Sequence, residues 1–245
     1  MNSNPQSWTP SSAADIVGNY KLKKLFGTLL KRKKEFGQKG FPREYNTSIL
    51  ISGPSRSGKT ATVKNFVRCL FCKYPDIEKQ KPCGKCEGCQ LSLLGEQNTG
   101  VFGDIGLFEY CPVDCSRHPT TATLEHDLYI DVLEKTVPRV NYLDEVHFLA
   151  RRGNADFILK AVEERTALWI LSTARLEEMD EMLEKRSLNL STEPPSIDEL
   201  ASWTVERFRE FGLTPNSEEI FDMSERNQFN PGVILKEIEL KKLME

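Results

Sequence analysis

Hydrophobic positions along the chain change period several times, and each change marks an element. Leu22, Leu25, Phe26, Leu29 and Leu30 recur at helical spacing inside the Lys- and Arg-rich stretch from Lys21 to Arg43, which predicts an amphipathic helix with a basic face. Thr47 to Ser52 is a short apolar, β-favouring run halted by Gly53 and Pro54, and helical periodicity resumes from Lys59 to Phe71. Gly106 to Cys111, Arg139 to Leu143 and Ala167 to Thr173 read as buried strands, with helices expected over Thr123 to Lys135 and Leu149 to Glu164. Strands alternating with helices predict an α/β fold whose parallel sheet is covered on both faces. After Arg186 the character changes. Pro194 and Pro195 break the chain, Ser196 and Glu199 have capping-box spacing, and helices are expected over Ile197 to Phe211, Ser217 to Glu225 and Gly232 to Met244. Two units follow, a core over 1–193 and a small all-α lid over 194–245, with Trp203, Phe208 and Phe211 in the lid's own core.

Composition narrows the class. With 245 residues, 39% of them hydrophobic and 28% charged, the chain has room for one large folded domain with a small satellite. No apolar run approaches the roughly 20 residues that span a bilayer, and Met1 to Pro10 lacks a secretory plan, so a soluble, cytoplasmic protein with no membrane partner is expected. The net charge of -3 provides no global attraction to nucleic acid, which leaves local patches such as Lys31-Arg32-Lys33-Lys34.

Three constellations carry chemistry. GPSRSGKT, Gly53 to Thr60, satisfies G-x-x-x-x-G-K-[ST] between an apolar strand and a helix. Gly53, Pro54, Ser55, Arg56, Ser57, Gly58, Lys59, Thr60 and Ala61 are therefore assigned to a nucleotide: backbone N–H groups curl round its phosphates, Lys59 reaches the β and γ phosphates, and the Thr60 hydroxyl ligates Mg²⁺. VNYLDEVHFL, Val140 to Leu149, delivers two adjacent carboxylates at a strand's C-terminal end. Asp144 is assigned to Mg²⁺ and Glu145 to the water that attacks the γ phosphate. DEVH also resembles a helicase box, but such a helicase needs two ATPase folds; His147 is read as structural or as a coupling residue. Cys72, Cys83, Cys86 and Cys89 form C-x10-C-x2-C-x2-C, four soft ligands that a loop can wrap around a tetrahedral metal. Zn²⁺ at a closed structural site is favoured over an iron–sulfur cluster, whose C-x3-C-P continuation is absent, and over free thiols. Cys69, Cys111 and Cys115 read as buried apolar residues.

In order and content these residues resemble the ATPase subunit (gamma/tau) of the bacterial DNA polymerase III clamp loader, within the AAA+ superfamily. WTPSSAADIVGN, Trp8 to Asn19, is similar to the family's segment before the adenine pocket, which implies that Val17 touches the nucleotide. KPCGKCEGC follows the P-loop helix where the family carries its zinc module, and DEVHFL is similar to the family's DEVHML. ILSTARLEEMDEMLEKRS, Ile170 to Ser187, resembles a sensor-1 strand and arginine-finger turn, so Thr173 is expected as sensor 1 and Arg186 as a finger reaching a neighbouring subunit's ATP. Three departures stand out. Lys185-Arg186-Ser187 replaces the family's S-R-C, the lid's last helix has Ile234, Leu235 and Lys236 where a sensor-2 arginine is usual, and an oligomerising collar is not expected within these 245 residues.

The resemblance implies an AAA+ P-loop ATPase that assembles as a homo- or hetero-oligomer on double-stranded or primed DNA. ATP state would then be coupled to an unidentified protein client, a sliding clamp or an effector. Arg151 and Arg152, just after the Asp144-Glu145 strand, are expected to couple DNA to hydrolysis. Two alternatives stay open: an AAA+ regulator of a mobile element or defence system that polymerises on DNA, and a non-hydrolysing nucleotide-binding scaffold.

Overall fold

The computed structural model describes residues 10–33, 48–89, 101–103, 106–117, 139–151, 155–164 and 167–244. Six strands, β1 (Ser48–Ser52), β2 (Val101–Gly103), β3 (Gly106–Asp114), β4 (Arg139–Asp144), β5 (Leu168–Thr173) and β6 (Leu188–Ser191), form one sheet in the order β2-β3-β4-β5-β1-β6. All neighbours run parallel except β2, which pairs antiparallel with β3. The P-loop strand β1 thus lies between β5 and β6, separated from β4 by β5. Eight α-helices are described: α1 (Tyr20–Lys31), α2 (Lys59–Phe71), α3 (His147–Arg151), α4 (Ala155–Glu164), α5 (Glu181–Lys185), α6 (Ile197–Glu210), α7 (Ser217–Arg226) and α8 (Pro231–Met244).

Alternation along the strands sorts the core onto two faces. Ile49, Ile51, Val140, Tyr142, Leu168 and Ile170 face α1 and α2, whose Leu22, Phe26, Leu30, Val63, Phe66 and Leu70 close that layer. Phe26 and Phe66 stack with centroids 4.3 Å apart, a pairing worth about 0.5–1.5 kcal/mol beyond the area it buries. Leu50, Leu143, Trp169 and Leu171 face the other way, onto Leu149, Ile158, Ala161 and Val162 of α3 and α4. A third cluster joins Leu200, Trp203, Phe208, Ile220, Met223, Ile234 and Ile238 of α6 to α8 with Val17.

The elements expected from periodicity stand where they are described, with some differences, and β2 and α5 were not anticipated. The single helix expected over Leu149 to Glu164 is two, α3 and α4; Gly153 and Asn154, poor helix formers, lie in the sequence between them. β3 continues past Cys111 through Pro112 to Asp114, because β2 covers only Gly106 to Phe108 and a proline is tolerated where the ladder runs along one side. β6 was not anticipated: four residues long and mostly exposed, it adds to the sheet after Arg186. The helix expected over Thr123 to Lys135 lies outside the described residues.

Candidate nucleotide site and cysteine cluster

Strand parity decides which polar side chains meet at the carboxyl end of the sheet. Asp144 shares its face with Val140 and Tyr142, and Ser172 shares the same face with Leu168 and Ile170. Thr60, in the first turn of α2, approaches on that side. Its Oγ1 donates to Asp144 Oδ2 at 3.0 Å, and Ser172 Oγ donates to Asp144 Oδ1. The Tyr142 hydroxyl stands 3.1 Å from both Thr60 Oγ1 and Ser172 Oγ. Thr60 and Ser172 give their own protons to the carboxylate, so the single phenolic proton of Tyr142 is shared between their oxygens. Burial, reinforced by Asp144, holds the Tyr142 phenol well above its usual pKa and keeps that proton in place.

The P-loop is built on backbone that side chains would obstruct. Gly53 has φ 151°, and a Cβ there would lie 1.8 Å from Thr192 Oγ1; Gly58, with φ 87°, is the N-cap of α2. Lys59 is buried, and its ammonium donates to the carbonyls of Gly53 at 2.7 Å and Pro54 at 2.9 Å. Burial lowers its pKa, against the pull of Glu145 and Asp144.

The opposite parity carries Thr173, which points to the face of Trp169 and Leu171. Glu145 follows β4 in a left-handed conformation, φ 53°, a strain of about 1–3 kcal/mol for a residue with a side chain. Its Oε2 accepts from the Ala174 N–H at 3.1 Å and lies 3.3 Å from Nδ1 of the buried His147. His147 Nδ1 is also 3.0 Å from Thr173 Oγ1, which accepts from the Arg175 N–H at 3.0 Å. Burial pushes the His147 pKa down despite Glu145, which keeps the ring neutral. The two carboxylates thus have separate settings: Asp144 among hydroxyls, Glu145 between an imidazole and a backbone amide.

The other expected site residues have their own surroundings. Val17 is buried in the α6–α8 cluster, two residues after Asp15, whose carbonyl accepts from Trp203 Nε1 at 2.7 Å. Arg186 caps α5 and pairs with Glu163 of α4. Arg151 donates to Glu178 Oε1 at 2.6 Å, an oxygen that also accepts from Arg175. Within the basic run, Lys33 is buried with its ammonium on the Cys72 carbonyl, which withdraws it from solvent. Arg152, Lys34, Trp8 and Thr9 lie outside the described residues. Tyr142 and Ser172 were missed as site residues. Parity was the available signal, since Tyr142 is two residues before Asp144.

The cysteine set converges. The sulfurs of Cys72, Cys83, Cys86 and Cys89 all lie within 4.8 Å of one another, against the ~3.8 Å edge of a tetrahedron with Zn–S bonds near 2.3 Å. The Cys83 N–H points at Cys72 Sγ at 3.1 Å and the Lys73 N–H at Cys86 Sγ at 3.2 Å, donors that suit thiolates. The Lys85 N–H, foremost among several donors, draws the Cys83 thiol down to about 6, while burial pushes Cys89 upward. The donor set fits a zinc ion. Cys69, Cys111 and Cys115 are buried, as expected.

Strand order, P-loop and acidic strand end together define the AAA+ P-loop NTPase fold. The chain matches no protein-family model. Among curated proteins it is 24% identical over 170 residues to the tau subunit of DNA polymerase III of Bacillus subtilis, covering 67% of this chain and 26% of that protein. It is also 24% identical over 106 residues to STICHEL-like protein 3 of Arabidopsis thaliana, covering 43% of this chain and 9% of that one. The chain therefore spans about a quarter of the length of one of these relatives and less than a tenth of the other. Among solved structures, the RuvB Holliday junction branch migration motor of Thermotoga maritima superposes with a TM-score of 0.59 at 15% identity, over 94% of this chain and 63% of that one. PCH-2 of Caenorhabditis elegans superposes with a TM-score of 0.52 at 14% identity, over 86% and 55%.

Proposed function

We propose that this chain is a Mg²⁺-dependent ATPase of the clamp-loader-like AAA+ type, working as an oligomer on double-stranded or primed DNA and coupling its nucleotide state to a protein client. The observation that carries the reading is the convergence of Thr60, Asp144, Lys59 and Glu145 at the carboxyl ends of β4 and β5 and the start of α2.

In this reading the Gly53–Ala61 segment holds the phosphates. Thr60 Oγ1 and an Asp144 oxygen, hard donors already 3.0 Å apart, would hold Mg²⁺, which neutralises charge on the β and γ phosphates when bound. Glu145 takes a proton from the attacking water as its oxygen bonds to the γ phosphorus and the bond to ADP breaks. His147 keeps the carboxylate aimed, and Thr173 fixes the imidazole. The cysteine cluster holds structural Zn²⁺. Arg186 serves the neighbouring subunit, which requires it to leave Glu163. The division into a core over 1–193 and a lid over 194–245 belongs to the same proposal, as does a cytoplasmic location; no described helix is long and apolar enough to cross a membrane.

The test is steady-state ATP hydrolysis with and without double-stranded DNA, with particle size measured alongside. DNA-stimulated turnover in a larger assembly supports the proposal; ATP binding with no turnover in any condition overturns it in favour of a scaffold.

A further inference from the structure

A P-loop presents N–H groups inward only if its carbonyls point outward and find partners there, because N–H and C=O of a trans peptide point in opposite directions. Lys59 takes the carbonyls of Gly53 and Pro54, and Thr62 Oγ1 takes that of Gly58 at 2.8 Å. Two side-chain amides from outside the motif take two more. Asn19 Nδ2 donates to the Ser57 carbonyl at 2.8 Å, and Asn230 Nδ2 donates to the Ser55 carbonyl at 3.0 Å. The other end of each amide is fixed as well. Asn19 Oδ1 accepts from the Glu193 N–H at 3.1 Å, and Asn230 Oδ1 accepts from the N–H groups of Gly232 and Val233 at 3.1 and 3.3 Å.

Asn230 is the residue just before α8, where a sensor-2 cation would be expected a turn further on and Ile234 and Leu235 stand instead. Its contact is tight. A Cβ on Gly232 would lie 2.5 Å from the Arg56 carbonyl oxygen and 2.7 Å from Arg56 Cβ. The contact also uses uncommon backbone on both sides, with positive φ at Arg56, Gln228 and Phe229.

We infer that Asn230 is a positioning residue for the nucleotide's phosphates: by holding the Ser55 carbonyl outward it turns the Arg56 N–H into the cradle, so that docking of the α8 end and orientation of the P-loop are one event. Nucleotide state is then sensed through a backbone carbonyl instead of a cationic side chain. The inference rests on the nucleotide-binding reading above and adds to it how the α6–α8 unit takes part.

Two variants separate this role from a merely structural one. Asn230→Asp keeps an acceptor for the α8 N–H groups, a good N-cap, but cannot donate to Ser55. Gly232→Ala improves helix propensity yet places a methyl group against the Arg56 carbonyl. The full-length chain is titrated calorimetrically with Mg²⁺-ATP and, separately, with adenosine, and thermal midpoints are recorded. The expected result is ATP affinity weakened about tenfold in both variants, the scale of one lost hydrogen bond, with adenosine affinity and midpoint unchanged. Wild-type ATP affinity in both variants overturns the inference, as does equal loss for ATP and adenosine. A wild-type chain that does not bind ATP at all overturns the nucleotide reading itself, and the inference with it.

Discussion

Glu145 and His147 show how much one side chain's setting is decided by its neighbours. The carboxylate is held by a backbone amide and an imidazole that burial keeps neutral, so the base assignment is tested by removing its charge alone. Glu145→Gln is expected to lower turnover by about 10²–10⁴ while leaving ATP affinity within twofold, read from single-turnover hydrolysis and equilibrium binding. Turnover at the wild-type rate would remove Glu145 from the chemistry. His147 also makes a pH prediction. Its pKa is lowered on folding, so the unfolded chain binds the extra proton first as pH falls below the ordinary histidine value near 6.5. The stability it contributes is present above that value and is lost as pH falls toward the lowered one. A thermal midpoint that drops in that acid window in wild type but stays flatter in His147→Gln would bear this out; identical profiles would refute it.

Elements differ in how much of them can be read from the chain alone. α2 begins and ends as expected because its apolar stripe and its N-terminal glycine are local signals. α6 begins as read too, with Ser196 Oγ accepting from the Glu199 N–H at 3.2 Å; Ser196→Ala should cost about 1 kcal/mol, visible as a midpoint lowered by a few degrees. β6 and α5 are too short for any period to declare itself, and β2 is a strand only because β3 is beside it. The P-loop and Asp144-Glu145 were legible because a motif lies within a few residues. Tyr142, Ser172, Asn19 and Asn230 were not, since each acquires its role from a partner strands or helices away.

The cysteine element is tied to the rest through Gln80, whose Nε2 donates to the Lys23 carbonyl at 2.8 Å and whose own carbonyl accepts from Asn65 Nδ2 at 3.0 Å. Purified protein is expected to carry one zinc per chain, and chelation should lower the thermal midpoint, since structural zinc in small sites is worth on the order of 10 kcal/mol. Metal-free protein with an unchanged midpoint would refute a structural ion.

At the scale of the molecule, the proposed assembly makes a demand on Arg186 that a single chain cannot show. Paired with Glu163, it serves α4 of its own chain. If it completes a neighbour's site, Arg186→Ala and Glu145→Gln proteins are each expected to be inactive alone and to regain part of the wild-type turnover when mixed, since one supplies an intact base and the other an intact finger. Mixtures no more active than their components would confine Arg186 to its ion pair.

The outward grip on the P-loop carbonyls also shifts where sequence variation can be absorbed. Ser55 is held through its main-chain oxygen and its side chain is exposed, so most replacements there leave the gripped atom unchanged. Intolerance is displaced to Asn19 and Asn230, far from the motif along the chain and unremarkable on inspection. A saturation library scored for nucleotide retention would therefore map the phosphate cradle not only at Gly58, Lys59 and Thr60 but also at positions that no phosphate touches.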